Sequence, residues 1–283
     1  MRRRLFGLWS LLAAVLAGAV PAAAQTPPQS LPQSRAQAQA PPEEVDVALV
    51  LAVDVSFSMD IDELALQRGG YIEAFRSKAL HEAIAKGAIG KIAVTYVEWA
   101  GGHFQHVVAP WTVIESPQSA LAFAELLGEA PTRRGRRTSI SGAIELGMAL
   151  LERSNVTAMR QVIDISGDGP NNDGRPVTEA RDAASARGIA INGLPVMLKA
   201  VSYLDIENLD LYYEDCVVTG PGAFVIPIRE RSQFADATRT KLVREIAQAP
   251  EPPGAAAITR VQAKEPRVPC MLGERLWRER MGP

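Results

Sequence analysis

The chain has 283 residues, of which 47% are hydrophobic and 22% charged. That is enough apolar material for one core of up to about 200 residues. With 30 basic against 32 acidic side chains, the formal net charge of −2 excludes a bulk electrostatic drive toward nucleic acid or an anionic membrane.

The chain opens with Arg2, Arg3 and Arg4, followed by an apolar stretch, Leu5 to Val20, and the small residues Ala22-Ala23-Ala24 before Gln25. This is the pattern of a secretory signal peptide over residues 1–24. The apolar stretch is 16 residues long, short of the roughly 20 that span a bilayer. An uncleaved membrane anchor is the alternative, and Arg3-Arg4-Leu5-Phe6 matches a twin-arginine signal only in part. Residues 25–44, rich in Pro, Gln and Ala, bury no core and read as a flexible spacer. The expected location is therefore periplasmic or secreted, with no stable membrane span after signal cleavage.

A domain is expected over residues 45–248. Val45 to Val55 reads as a strand apolar on both faces, and Ile61 to Ile84 as a helix with Gly69-Gly70 as a weak point or a close-packing site. Strands follow over Lys91 to Trp99 and, interrupted by Pro110, over Gln105 to Ile114. Ser116 opens a helix through Leu127 with Pro117 in its first turn. The spacing predicts a helix over Ser139 to Arg153, a strand over Arg160 to Ser166, a helix over Val177 to Arg187 closed by Gly188, and a strand over Ile189 to Val196. A last strand over Ala223 to Ile228 and a last helix over Gln233 to Ala247 complete the domain. Residues 249–283 form a Pro-rich, then basic tail whose Trp277–Arg280 segment either packs or stays loose. Strands apolar on both faces need helices on both sides. The expected fold class is α/β: a doubly wound, mostly parallel sheet with helices on both faces and one antiparallel edge strand.

In such a sheet, ligands sit beyond the carboxyl ends of the strands. The segment DVSFS, Asp54 to Ser58, follows the apolar run Val47–Val53 at one such end. Ser166-Gly167-Asp168-Gly169 lies at another, and Thr138 stands at the start of a helix. Asp54, Ser56, Ser58, Thr138 and Asp168 thus offer two carboxylates and three hydroxyls, with no nitrogen or sulfur. That set suits a small hard cation, Mg2+ first, with Mn2+ or Ca2+ as alternatives, rather than zinc or copper. Neutral hydroxyl ligands leave the cation much of its charge, so it can accept an outside carboxylate. The competing reading is that Asp54, Ser56 and Ser58 only cap the next helix. Ser139 and Ser141 are alternative hydroxyls beside Thr138.

Asp54-x-Ser56-x-Ser58, a later Thr138 opening a helix, and Asp168 in a Gly-Asp-Gly turn resemble the metal-ion-dependent adhesion site of von Willebrand factor type A domains, over about Val45 to Ala247. Ser166–Pro176 (SGDGPNNDGRP), Ile191–Pro195 (INGLP) and Gly220–Val225 (GPGAFV) resemble a secreted bacterial branch of that family, a domain of unknown function. The resemblance implies that the five residues ligate a cation directly or through water, and that a protein partner completes the site with an Asp or Glu side chain. It implies a non-enzymatic binding module. The chain departs from the family at Gly167, where many such domains carry a threonine.

Other features bear on partners. Arg133, Arg134, Arg136 and Arg137 surround Gly135 just before Thr138, as a receiver for an acidic partner or as a solvated loop. Asn171, Asn172 and Asp173 read as turn residues, with a second ion site as the alternative. Asp164, inside an apolar strand, requires a partner. His103 and His106 lack the helical spacing and the glutamate of a metalloprotease, and no Gly-x-Ser-x-Gly marks a hydrolase nucleophile. In an exported chain Cys216 and Cys270 read as a disulfide, with two unpaired thiols as the alternative. The rival function is a Mg2+-dependent phosphate-ester hydrolase, which needs a second aspartate where this chain has Ser56 and a lysine near the rim. A scaffold with a vestigial metal site is the third.

Overall fold

From Val45 to Asp54 every residue of strand β1 (Glu43–Asp54) is buried, as befits a strand covered on both faces. In the computed structural model, which describes residues 41–199, 206–247 and 266–281, β1 is the middle of five strands ordered β3-β2-β1-β4-β5. The others are β2 (Ile92–Trp99), β3 (Gln105–Ile114), β4 (Val156–Gly167) and β5 (Ala190–Pro195). β1 runs parallel to β2 and β4, and β4 to β5, while β3 is antiparallel to β2 at the edge. The expected signal peptide and most of the spacer lie outside the described residues.

Eight helices are described: α1 (Ile61–Arg76), α2 (Lys78–Ala85), α3 (Pro117–Glu129), α4 (Ile140–Glu152), α5 (Val177–Ser185), the short α6 (Leu209–Tyr212), α7 (Phe234–Ala247) and α8 (Leu272–Met281). Alternation along β1 divides the core between two layers. Val47, Leu49, Leu51 and Val53 pack with Phe75 of α1, Phe123 of α3 and Leu242 of α7. Ala48, Val50 and Ala52 pack on the other side with Ile144 of α4 and Ala180 of α5. A one-residue slip would exchange the two sets, setting small alanines against the layer now filled by leucines, so packing fixes the register. That register ends β1 at Asp54, opposite Trp99 of β2. The chain leaves β1 toward β2 on one side and reaches β4 on the other. This is a switch point with a crevice at the carboxyl ends.

Two expectations change, and the expected disulfide is present. The helix expected over Ile61 to Ile84 is two helices, broken at Ser77 and not at the glycines. Ser77 is extended, at φ −79° and ψ 138°, and its Oγ accepts from Leu80 N to cap α2. Gly70 stays helical as the close-packing position: a Cβ there would lie 3.0 Å from Thr238 Oγ1 of α7. The strand expected over Ala223 to Ile228 forms only isolated parallel bridges, Gly193 with Val225 and Val196 with Ile228. Ile226 N and Ile228 N donate to Gly193 O and Pro195 O of β5, so Pro227 turns its amide-less nitrogen to the outer side, as an edge segment allows. The basic tail contains α8, and a disulfide between Cys216 and Cys270, Cα atoms 5.4 Å apart, holds it to the turn Tyr213–Val217.

Candidate metal centre

Asp60, not DVSFS, caps α1. Its Oδ1 accepts from Glu63 N at 2.7 Å, and Glu63 Oε2 accepts from Asp60 N at 2.8 Å, closing a reciprocal capping box. The helix thus makes no claim on the oxygens of Asp54, Ser56 and Ser58. Asp54 is fully buried at the end of β1. Its Oδ1 accepts from Ser56 N at 2.7 Å and thereby tightens the turn. Ser56 Oγ lies 2.5 Å from Ser58 Oγ, and Ser58 Oγ donates to Asp168 Oδ1 at 2.6 Å. The sheet therefore brings Asp54 and Asp168, from β1 and the turn after β4, to one rim.

Thr138 reaches the same rim by backbone pairing. Phe57 N donates to Gly135 O at 2.8 Å, and Gly135 N to Val55 O at 3.0 Å, zipping the arginine loop to DVSFS. Thr138 N donates to Asn172 Oδ1 at 2.9 Å, and Asn172 N returns to Thr138 O at 2.8 Å. Thr138 Oγ1 lies 3.9 Å from the Cβ position of Gly169. Ser139, the alternative hydroxyl, is occupied as the cap of α4 through Gly142 N. Ser141 lies inside α4 and turns its hydroxyl to Asp173 O. Ser56, Ser58, Thr138 and Asp168 line one cavity of about 600 Å³, with Asp54 beneath it.

Gly167 is what lets β4 close on Asp54. A Cβ at residue 167 would sit 2.9 Å from Asp54 Oδ2 and 3.1 Å from the Tyr213 hydroxyl, so a threonine does not fit here. Asp54 Oδ2 and Tyr213 Oη are both buried without a hydrogen-bond partner among the described residues. Burial, and then repulsion from Asp168, pushes the Asp54 carboxyl well above the usual carboxylate range. Burial also raises Asp168, against the pull of Ser58 and Lys199. A bound cation would satisfy this buried, unpartnered carboxyl oxygen and would favour its ionised form. Among the described residues no group of three or more His, Cys, Asp or Glu side chains is placed to hold a metal ion. The candidate donors at this rim are two carboxylates and three hydroxyls, an all-oxygen set whose chemistry fits a hard cation such as Mg2+.

Sequence reasoning missed several neighbours. Lys199 stands beyond β5, with Nζ 3.4 Å from Asp168 Oδ2 and 2.5 Å from Glu63 Oε2. Its only sequence signal is a lysine four residues past the end of a core strand. Asn171, expected as a turn residue, is fully buried and joins three segments: its Oδ1 accepts from Ser141 N, and its Nδ2 donates to Arg175 O and Glu274 Oε1. Of the four arginines, Arg134 turns back to the carbonyls of Phe57 and Met59. Arg137, left-handed at φ 67°, pairs with Asp173 and lies 4.6 Å over the Trp277 ring of α8. Arg136, Arg137, Trp277 and Arg280 form the cavity's far wall. The Trp277 segment is thus packed rather than loose.

The central parallel strands and the crevice at their switch point have the fold of von Willebrand factor type A domains. Residues 44–250 match the family model described as "Protein of unknown function (DUF1194)", and the chain belongs to that family. Similar solved structures include proximal thread matrix protein 1 from the mussel byssus with a zinc-occupied MIDAS motif, at 14% identity and TM-score 0.54, over 74% of this chain and 49% of that one. The von Willebrand factor type A protein from Catenulispora acidiphila is similar at 17% identity and TM-score 0.50, over 71% of this chain and 43% of that one. The pilus adhesin SpaC from Lactobacillus rhamnosus GG is similar at 14% identity and TM-score 0.53, over 72% of this chain and 31% of that one. This chain spans about half the length of the mussel protein, and at these identities the likeness is one of fold. No curated protein matches the chain.

Proposed function

We propose that this protein is an exported, non-enzymatic binding module that holds a divalent cation at Asp54, Ser56, Ser58, Thr138 and Asp168 and docks an Asp or Glu side chain of a partner protein on it. One observation carries the reading: four of these residues line one cavity, and beneath it lies the buried, unpartnered Oδ2 of the fifth. The hydroxyls and carboxylates orient the cation. When bound, it supplies the positive charge that a partner carboxylate completes. Ser56, Ser58 and Thr138 are neutral, so much of that charge survives for docking. Mg2+ suits the all-oxygen set best, and Mn2+ and Ca2+ belong to the same hard class. The zinc in the mussel protein's motif adds Zn2+ to the ions worth testing.

Export is supported by the signal-like residues 1–24 and by the Cys216–Cys270 disulfide. Among the described residues no helix is long and apolar enough to cross a membrane. In this reading the spacer expected over residues 25–44 separates the domain from its leader up to Glu43, where β1 begins, and the C-terminal tail is stapled back by the disulfide.

Lys199 at the rim favours the phosphate-ester hydrolase, which needs such a lysine. Two features oppose it. Asp54 is fully buried and so has no approach to a substrate phosphorus, and Ser56 stands where the second aspartate should be. Calorimetric titration with Mg2+ and Mn2+ tests the metal site, and should give binding that Asp54→Ala abolishes while thermal unfolding stays cooperative. No heat of binding would point to the vestigial scaffold. Capture of periplasmic proteins with and without a chelator tests docking. Turnover of a phosphate-ester panel with Mg2+, lost in Asp54→Asn, would establish the enzyme instead.

A further inference from the structure

Lys199 is the one cation in direct contact with the rim carboxylate of the site among the described ion pairs. Both oxygens of Asp168 are engaged, Oδ1 by Ser58 Oγ at 2.6 Å and Oδ2 by Lys199 Nζ at 3.4 Å. The ammonium also donates to the Ser58 carbonyl. Its other carboxylate contact, Glu63, cannot follow it, because Glu63 is 2% exposed and its Oε2 is fixed to Asp60 N by the capping box. Lys199 is itself 40% exposed, on a stem that lines both the metal cavity and a smaller cavity of about 230 Å³ beside it. It therefore has two carboxylates, one fixed and one on the metal rim, and room to favour either.

We propose that Lys199 is a built-in competitor of the divalent cation for Asp168, and that its partition between Asp168 and Glu63 sets the site's metal affinity. The proposal rests on the metal reading of the five oxygen donors. A monovalent and a divalent cation sharing one carboxylate repel each other, and even strongly screened repulsion at this range corresponds to about tenfold or more in affinity. Metal binding would break the longer contact with Asp168 and leave the ammonium on Glu63, already its nearer carboxylate, which offsets part of that repulsion. Without a charge on Glu63 the ammonium has only Asp168, and the cation meets a stronger rival.

The test is calorimetric titration of the full chain with MnCl2 and MgCl2 alone. Lys199→Met, which keeps the stem and drops the charge, should tighten metal binding about tenfold or more. Glu63→Gln, which can still serve the capping box, should weaken it. Arg133→Gln, an exposed charge on the arginine loop, should change it less than about twofold. As a second measurement on the unmutated chain, saturating Mn2+ should change the acylation rate of Lys199, read by mass spectrometry, because the ammonium then loses one of its two carboxylates. Equal affinity in the unmutated chain and Lys199→Met, or an acylation rate unchanged by bound metal, overturns this inference and leaves the metal site standing. If neither chain takes up metal, the metal reading itself fails, and this inference fails with it.

Discussion

Thr138 and Asn172 hold each other by two reciprocal bonds, Thr138 N to Asn172 Oδ1 at 2.9 Å and Asn172 N to Thr138 O at 2.8 Å. The pair ties the start of α4 to the turn that carries Asp168, so it fixes the distance between a hydroxyl and a carboxylate of the proposed site. Asn172→Ala removes the side-chain half. The expected loss of stability is about 1 kcal/mol, that of one hydrogen bond. The expected loss of metal affinity is larger, about 10- to 100-fold, as for other residues that orient ligands. Denaturant unfolding and metal titration of the same variant separate the two effects.

Gly167 and Asp54 approach too closely for any side chain at residue 167. A Cβ there would meet Asp54 Oδ2 at 2.9 Å and Asp54 Cβ at 3.0 Å. Gly167→Thr, which restores the residue common in related domains, is therefore expected to destabilise by about 1–3 kcal/mol through overpacking. It should also weaken metal binding, because the group that must move is Asp54 itself. A Tm equal to that of the unmutated protein would show that β4 yields more easily than the packing suggests.

What the sequence made legible, and what it hid, divides along contact distance. DVSFS was readable because ten buried residues of β1 put Asp54 at a strand end by local pattern alone. Thr138 and Asp168 were readable because each stands at the junction of a core element and a polar turn. Lys199 was not, since its contact with Ser58 spans 141 residues and no periodicity announces it. Asn172 looked like an ordinary turn former because its partner lies 34 residues away. The break at Ser77 was hidden by apolar spacing that continues through it, although the serine that makes it was in view. The segment Ala223 to Ile228 had strand composition, and Ile226 and Ile228 do donate to β5, but the pairing stays at isolated bridges.

Asp164, expected to need a partner, has Lys241, which also pairs with Glu245 at 2.7 Å; all three side chains are fully buried. Removing the cation leaves two buried carboxylates facing each other. Lys241→Met is expected to lose about 3–5 kcal/mol. With one ammonium for two acids, burial pushes the Asp164 carboxyl up to about 7, against the pull of Lys241 and with Glu245 adding to it. The folded chain then keeps a proton that the unfolded chain, with an ordinary carboxyl near 4, releases. From Asp164 alone, stability is greatest below about pH 4 and falls as pH rises toward 7. Asp164→Asn should flatten that part of the profile, measured by denaturant midpoints across the same pH window. An unchanged slope would place the proton elsewhere in the triad.

The Cys216–Cys270 disulfide closes a 54-residue separation and brings α8 against the rim of the proposed site. Glu274 Oε1 accepts from Asn171 Nδ2 at 2.8 Å, and Trp277 lies beneath the Arg137 guanidinium. A loop of this length predicts about 4 kcal/mol of stabilisation from the bond in the chain-entropy view, although measured effects more often fall at about 2–4 kcal/mol. Replacing both cysteines by serine should lower stability by that amount. Because α8 makes part of the cavity wall while Asp54, Ser56, Ser58, Thr138 and Asp168 all belong to the sheet and its loops, metal affinity should fall much less than stability does. Hydrogen exchange should localise the loosening: the amides of α8 should exchange faster, and those of β1 and β4 should change only as far as global stability does. If metal affinity fell as steeply as in Asp54→Ala, α8 would be part of the ion's own support rather than a wall around its partner.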